Sequence, residues 1–328
     1  MASILTNPTL ADVIGRLDSQ GNITKVAELM SANTDFFDDL TYEQANGVVS
    51  HRTTVRSGLP EVAWRQLYKG VQPSKSTVTT VDEPIGMLEG RSVIDSKLLA
   101  LNGNDSAWRL SEDSAFLQSM RKKVAENLFG INATDAEGFT GFPQRFASLD
   151  AENAKNIISA GGSGGTNTSI WLVVWSPQTV TAVYPKGSTA GLQARDLGED
   201  TIYDDAGRPF QANSTLFQWD MGLSVRDWRY VVRIANIDTK ALTETAATGA
   251  NLLSLMARAC RRVEDLTAGR AAFYMNRDTA EILDLQHVNQ IKNSTLTFED
   301  AGGRQVTKFR GIPVRIVDAI SNAEPAVK

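Results

Sequence analysis

Few side chains in this sequence suit covalent or acid–base chemistry, and their spacing gathers none of them. There are two histidines, His51 and His287, and one cysteine, Cys260. A protein-built metal site needs several His, Cys or carboxylate ligands at set spacing, and no such group occurs along the chain. Each histidine therefore reads as an ordinary packed or surface residue. Cys260 falls on an apolar helical stripe, where a thiol is a small inert hydrophobe rather than a nucleophile. The glycines of residues 161–165 lack the Lys and Ser/Thr of a phosphate loop and read as a flexible connection. Asp38–Asp39 and Asp204–Asp205 are carboxylate pairs, but adjacent residues in a turn do not converge on one substrate, so they read as solvated turn charge. No G-x-S-x-G is present. The expectation is a non-enzyme with no metal and no cofactor.

The composition supports a folded chain with another kind of task. Its 328 residues, 42% hydrophobic and 22% charged, suffice for one large or two ordinary domains. No apolar run is long enough to span a bilayer, and the first ten residues lack the pattern of a signal peptide. A single cysteine excludes an internal disulfide and suits a reducing cytoplasm. The balance of 33 basic to 38 acidic residues, net −5, does not fit a protein that grips nucleic acid through backbone charge. The basic runs Arg121-Lys122-Lys123 and Arg261-Arg262 are short and read as solvated helix faces.

Residues 1–47 read as an arm with short helices over 10–17 and 24–33, an apolar cluster of Phe36, Phe37, Leu40 and Tyr42, and a further short helix to about Asn46. Residues 48–91 differ. Thr- and Val-rich stretches at 49–56 and 74–81 flank a middle with Pro60, Trp64, Tyr68 and Gly70. This predicts a long two-stranded hairpin with an elaborate tip. Such a hairpin is marginal alone and needs another surface to lie on. A short helix is expected over 93–101. The clearest helix is expected over 111–129, capped by Ser111, with Leu117, Met120, Val124 and Leu128 on one stripe and Gly130 as its stop. Strands follow over 170–175, 179–184, 229–234 and 271–275, with a turn at 203–208. A long helix is expected from Asp238 to about Val263, because Leu242, Ala246, Gly249, Leu253, Met256 and Cys260 step by three and four. Asn276 caps a last helix to about Val288.

The end of the chain carries the most specific pattern. In residues 304–316, two alternating strands are broken at Gly311, where a kink or bulge would re-aim the faces. The stretch FRGIPVRIVDAI (residues 309–320) resembles the closing segment of tailed-bacteriophage major capsid proteins. AAFYMNRDTAEIL (residues 271–283) is similar to the same family. The pair YPKGSTAGLQARDLGE (residues 184–199) and LSVRDWRYVVRIANID (residues 223–238) looks like those of short-tailed phages in particular.

This resemblance implies an α+β chain with the Hong Kong 97-like capsid fold. Its parts would be an N-terminal arm (1–47), an extended β-hairpin loop (48–91), a peripheral domain with a long spine helix (92–155), an axial domain with a central sheet and flanking helices (156–299), and closing strands (300–328). It implies a subunit that assembles with itself, as hexamers and pentamers, into an icosahedral shell in the host bacterial cytoplasm. That virion shell would enclose double-stranded DNA without reading its sequence, with scaffolding, portal and cement proteins as further partners and no membrane. A cellular encapsulin-like nanocompartment shell shares the fold and is the alternative; an enzyme with an unrecognised site is a second, from a different class. Some members crosslink Lys and Asn between subunits, but nothing around Lys69 or Lys75 marks them as reactive, and no crosslink is expected. Within the loop, Trp64, Arg65, Leu67 and Tyr68 are the candidate intersubunit contact, because an aromatic beside an Arg is the usual make-up of an interface hot spot. The other five tryptophans are expected mostly in the core.

Overall fold

The computed structural model describes residues 35–102, 105–131, 137–204, 206–243, 249–289, 296–301 and 304–328. The helices expected within 1–33 lie outside the described residues. The chain divides into two compact units, neither of them a single stretch of sequence. One takes in Met87–Ala125 and Gly191–Asp220, the other Thr34–Gly86, Glu126–Ala190 and Met221–Lys328. The expected ranges 92–155 and 156–299 thus each contribute residues to both.

The larger unit is built on a mixed sheet. Its strands are β1 (Tyr42–Gln44), β2 (Ser50–Gly58), the first part of β3 (Thr77–Asp95), β4 (Ile157–Ser159), β5 (Asn167–Trp175) and β6 (Val180–Tyr184). In the smaller unit β7 (Gln193–Tyr203) pairs with β8 (Pro209–Val225), whose last residues return to the larger unit. There follow β9 (Val231–Asp238), β10 (Arg270–Met275), β11 (Leu296–Ala301), β12 (Arg304–Phe309) and β13 (Ile312–Ile316). β5 is the centre: it runs antiparallel to β9 and to β10, and β13 lies parallel beyond β10. All nine β5 residues are buried, as its near-continuous apolar run predicts for a strand covered on both faces.

Each face of β5 has its own cover. On one, Ile170, Leu172 and Val174 pack with Leu252, Leu255, Met256 and Ala259 of the helix Leu252–Arg262 (α3), and Leu283 of Arg277–Asn289 (α4) joins the same core. On the other, Trp171 and Trp175 meet Phe142 at 5.7 and 5.9 Å between ring centres, and Phe146 meets Trp171 at 6.0 Å. Phe129 and Phe36 extend this aromatic layer to Tyr274. Gly141 is required beside it, because a Cβ there would sit 1.9 Å from the carbonyl oxygen of Asn127. The glycines at 161–165 connect β4 to β5, and both strands pair with β9. The connection is tied down: the Gly162 N–H donates to the Asn236 carbonyl (2.8 Å), and Asn167 Nδ2 to the Gly164 carbonyl (2.7 Å).

In the smaller unit, β7 and β8 form an antiparallel ribbon from Gln193–Gln218 to Tyr203–Pro209, with a bulge between Asp196 and Gly198. After the short helix Ser96–Asn102 (α1), the long helix Asp105–Phe129 (α2) packs Phe116 on Phe217, ring centres 5.6 Å apart. Arg109 of α2 reaches Asp196 at 2.8 Å. Met120, Val124 and Leu128 are buried, as the stripe predicts.

Several expected elements differ. α2 begins at Asp105, which makes Ser111 an interior residue rather than a cap. β3 continues to Asp95, so the helix expected from Val93 starts at Ser96. The short helix expected before Gly47 is instead β1, parallel to β6. Tyr230 sits in a short 3-10 turn before β9 rather than in a strand. No helix starts at Asp238, because β9 runs through it and Thr239 bonds the Thr166 carbonyl through both its N–H (3.0 Å) and its hydroxyl (2.8 Å). α3 begins 14 residues later, where Asn251 Oδ1 accepts the Ser254 N–H. At Gly311 there is neither kink nor bulge. Arg310 (φ 52°) and Gly311 (φ 82°) form a two-residue hairpin turn that pairs Phe309 with Ile312.

Candidate intersubunit surface

The hairpin expected from the Thr- and Val-rich stretches is present. β2 pairs with β3 from Ser50–Pro84 out to Gly58–Thr77, with a register shift near the end. The tip between them has little internal support: the Lys69 N–H donates to the Gln66 carbonyl (3.2 Å), and the Ser74 hydroxyl to the Glu61 carbonyl (2.6 Å). Every residue from 59 to 75 is exposed. Trp64 is 102% and Tyr68 98% exposed, with Leu59, Val62 and Leu67 close behind. Arg65 stands beside Trp64, and Lys69 and Lys75 are exposed in the same tip. Large apolar side chains concentrated in one bare loop are what an interaction surface looks like before its partner arrives. Trp171, Trp175 and Trp219 are buried and Trp228 is half-buried, so among the tryptophans whose side chains are described only Trp64 is bare.

The root of the hairpin is held by charge. Asn46 grips the Arg52 backbone from both sides, donating to its carbonyl (2.7 Å) and accepting its N–H (2.9 Å). Arg52 and Asp82 form an exposed two-pronged pair, and the hydrogen bond from Arg52 holds the Asp82 carboxyl below its ordinary range. Glu83 is buried, and both of its oxygens accept from Arg145 (2.8 and 2.5 Å). His51 is buried between Asn46 and Arg226, and Arg226 also reaches Glu43 at 2.9 Å. Burial, then the nearby Arg226 charge, push the His51 ring below its usual range, against smaller opposing effects of Glu43 and Glu83. A groove of about 1030 Å³ runs here, lined by residues that include Thr53, Val55, Arg226 and Trp228.

The remaining sequence candidates are dispersed. His287 lies half-buried on α4, far along the chain from His51. Cys260 is buried on α3, and burial pushes its thiol up, away from the reactive thiolate. Asp39 corrects the reading of a solvated pair: it is buried, and both oxygens accept from Arg315 at 2.9 Å. Asp204 fastens its own turn, accepting from the N–H groups of Ala206 (2.9 Å) and Arg208 (2.8 Å). Arg262 is no solvated face, since its guanidinium binds the Lys155 and Ile157 carbonyls. Among the described residues no group of three or more His, Cys, Asp or Glu could hold a metal, and no helix is long and apolar enough to cross a membrane. Sequence reasoning missed the His51–Arg226–Glu43 and Glu83–Arg145 clusters. The one available signal was His51, Asp82 and Glu83 at the root end of strands whose outer parts are rich in Thr and Val.

The model of the major capsid protein GP7 family matches residues 18–328. The chain belongs to that family. Among solved structures it is similar to a chain of bacteriophage Epsilon15, at 36% identity over 100% of this chain and 99% of that one, with a TM-score of 0.74. The bacteriophage JBD30 capsid shares the fold, at 8% identity over 89% of this chain and 92% of that one, TM-score 0.52. An encapsulin of Synechococcus elongatus PCC 7942 matches at 11% over 70% of this chain and 97% of that one, with a TM-score of 0.47, too distant a likeness to carry an argument. No curated protein matches. This capsid protein is therefore a building block of a phage virion, an α+β chain of Hong Kong 97-like fold whose many copies make an icosahedral shell.

Proposed function

We propose that the extended hairpin, residues 48–91, is the arm by which each subunit of this capsid protein holds the next. Trp64, Arg65, Leu67 and Tyr68 form the contact. The observation that carries this is the bare tip, with Trp64 and Tyr68 fully exposed on a loop that makes two internal backbone-directed bonds. Leaving such a surface in water is unfavourable, and seating each large ring is worth about 1.5–3 kcal/mol. In this reading the unit with α2 and the β7–β8 ribbon is the peripheral domain with its spine helix, the unit with β5 at its centre is the axial domain, and of the expected arm 1–47 only the residues before Thr34 are laid on a neighbour, since Phe36, Asp39 and β1 belong to the larger unit. Subunits assemble as hexamers and pentamers in the host cytoplasm, around double-stranded DNA that they do not read, with scaffolding, portal and cement proteins as further partners. The chain acts by packing and not by catalysis.

Trp64→Ala tests this. The subunit should melt as wild type does, because β5 and its covers do not include the tip. Shell yield should fall steeply, since a contact worth about 2 kcal/mol or more is lost in every copy. Trypsin should cut free subunits at Arg65 and Lys69 and spare them in shells. Normal shell yield from Trp64→Ala, or equal cutting in shells and free subunits, would sink the reading.

A further inference from the structure

The tip has little internal support, so its position depends on the root, and one titratable side chain sits inside that root. His51 is the second residue of β2 and is 4% exposed. Its Nε2 lies 3.2 Å from Arg226 Nη2, which also donates to Glu43 Oε2. Its Nδ1 lies 3.4 Å from the backbone nitrogen of Asn46, a donor. Arginine has no acceptor, and a backbone N–H has none either. Both ring nitrogens therefore face donors. A neutral imidazole keeps one acceptor nitrogen and so answers one of these two donors, Arg226 or Asn46, according to its tautomer. An imidazolium carries a proton on each nitrogen and has no acceptor at either position.

Nearby carboxylates do not rescue the charged ring, because each is already engaged. Glu83, opposite His51 in the strand register, has both oxygens on Arg145. Glu43 is paired with Arg226, Asp82 with Arg52, and Asp227 with Arg229. The cations facing the ring are Arg226 and, beyond Glu83, Arg145. A proton on His51 thus adds a third positive charge to a cluster whose negative charges are taken.

We propose that His51 is an acid-sensitive pin: its protonation unseats the root of the hairpin from Arg226 and Asn46 and frees the whole arm to swing. The effect on shells rests on the docking role of the tip; the unseating itself does not. The direction follows from linkage. The seated ring takes a proton less readily than a free imidazole, whose ordinary value is 6.5. Above that pH neither state binds the proton and the root is fully held; as pH falls below it, the unseated state is favoured.

Hydrogen exchange of the full-length soluble subunit at pH 7.5 and at mildly acidic pH, corrected for intrinsic rates, tests the pin. Peptides spanning 46–58 and 77–86 should lose protection on acidification while β5 keeps its own. His51→Gln, which can accept from Arg226 at any pH, should remove the difference, and His287→Gln should not. A wild-type root as protected in acid as at pH 7.5, or His51→Gln losing as much protection as wild type, would overturn the proposal. Titration of the wild-type ring by NMR gives a second reading that needs no variant: a His51 signal that protonates as readily as free imidazole would equally overturn it. If the root loosens as expected and acid-treated shells nonetheless stay intact, the pin stands and the docking role of the arm falls.

Discussion

β5 and the loop tip are opposite solutions to the placement of tryptophan. In β5, Trp171 and Trp175 are wholly buried in a strand with no exposed residue. In residues 59–75 no side chain is buried, and Trp64 is bare. The first arrangement stabilises the subunit by removing apolar surface from water within one chain. The second leaves that surface in water, available for the proposed encounter between chains. With the tip in its proposed role, stability and assembly reside in separate residues and can be damaged separately.

The largest effect should come from the buried side of this comparison. Arg233 is 1% exposed, and its guanidinium donates to Glu324 (2.8 Å), to the Ser169 hydroxyl (3.0 Å) and to the Phe146 carbonyl (2.7 Å). Glu324→Ala leaves that charge uncompensated in the core and should cost about 3–5 kcal/mol, read as a large drop in melting temperature with no soluble shells. Gly311→Val comes next, at about 1–3 kcal/mol, because a β-branched residue is forced to a φ of 82°. A Cβ there would meet no atom within 4 Å, so the cost is one of backbone conformation alone. Loss of solubility beyond that range would show that Gly311 does more than turn the chain. On the exposed side, Trp64→Ala should shift melting by less than the reproducibility of the measurement while removing shells. Smallest of all, Asp82→Ala breaks an ion pair that is half exposed on both sides, and should change neither melting nor shell yield measurably. A clear defect from Asp82→Ala would blur the separation, since the root would then contribute to both properties.

Much of the fold could be read from the sequence where one local pattern decides. The apolar run of β5 has no exposed alternative, and the Thr and Val alternation at 50–58 and 77–81 suits a hairpin without a core. The stretch after Asp238 misled because steps of three and four are a necessary condition for a helix and not a sufficient one; Leu242 does reach the core, but from the irregular chain just after a turn. The candidate contact was legible as Trp64 with its neighbours, because a large ring in a polar loop is anomalous on its face. The charge clusters were not. Asp39 finds Arg315, and Glu83 finds Arg145, only after distant elements are brought side by side, and no local spacing encodes that pairing.

The Arg233–Glu324 pair also sets a clock. The two residues are 91 positions apart, and Glu324 bridges to Asn167 of β5 by backbone bonds as well. A ribosome adding about 5–20 residues per second delivers the arginine roughly 5–18 s before its counter-ion. During that interval the centre of the sheet holds an unanswered charge and cannot close. The tip of the hairpin is made far earlier, so in the proposed function each nascent subunit carries its means of attachment before it has a finished body to attach.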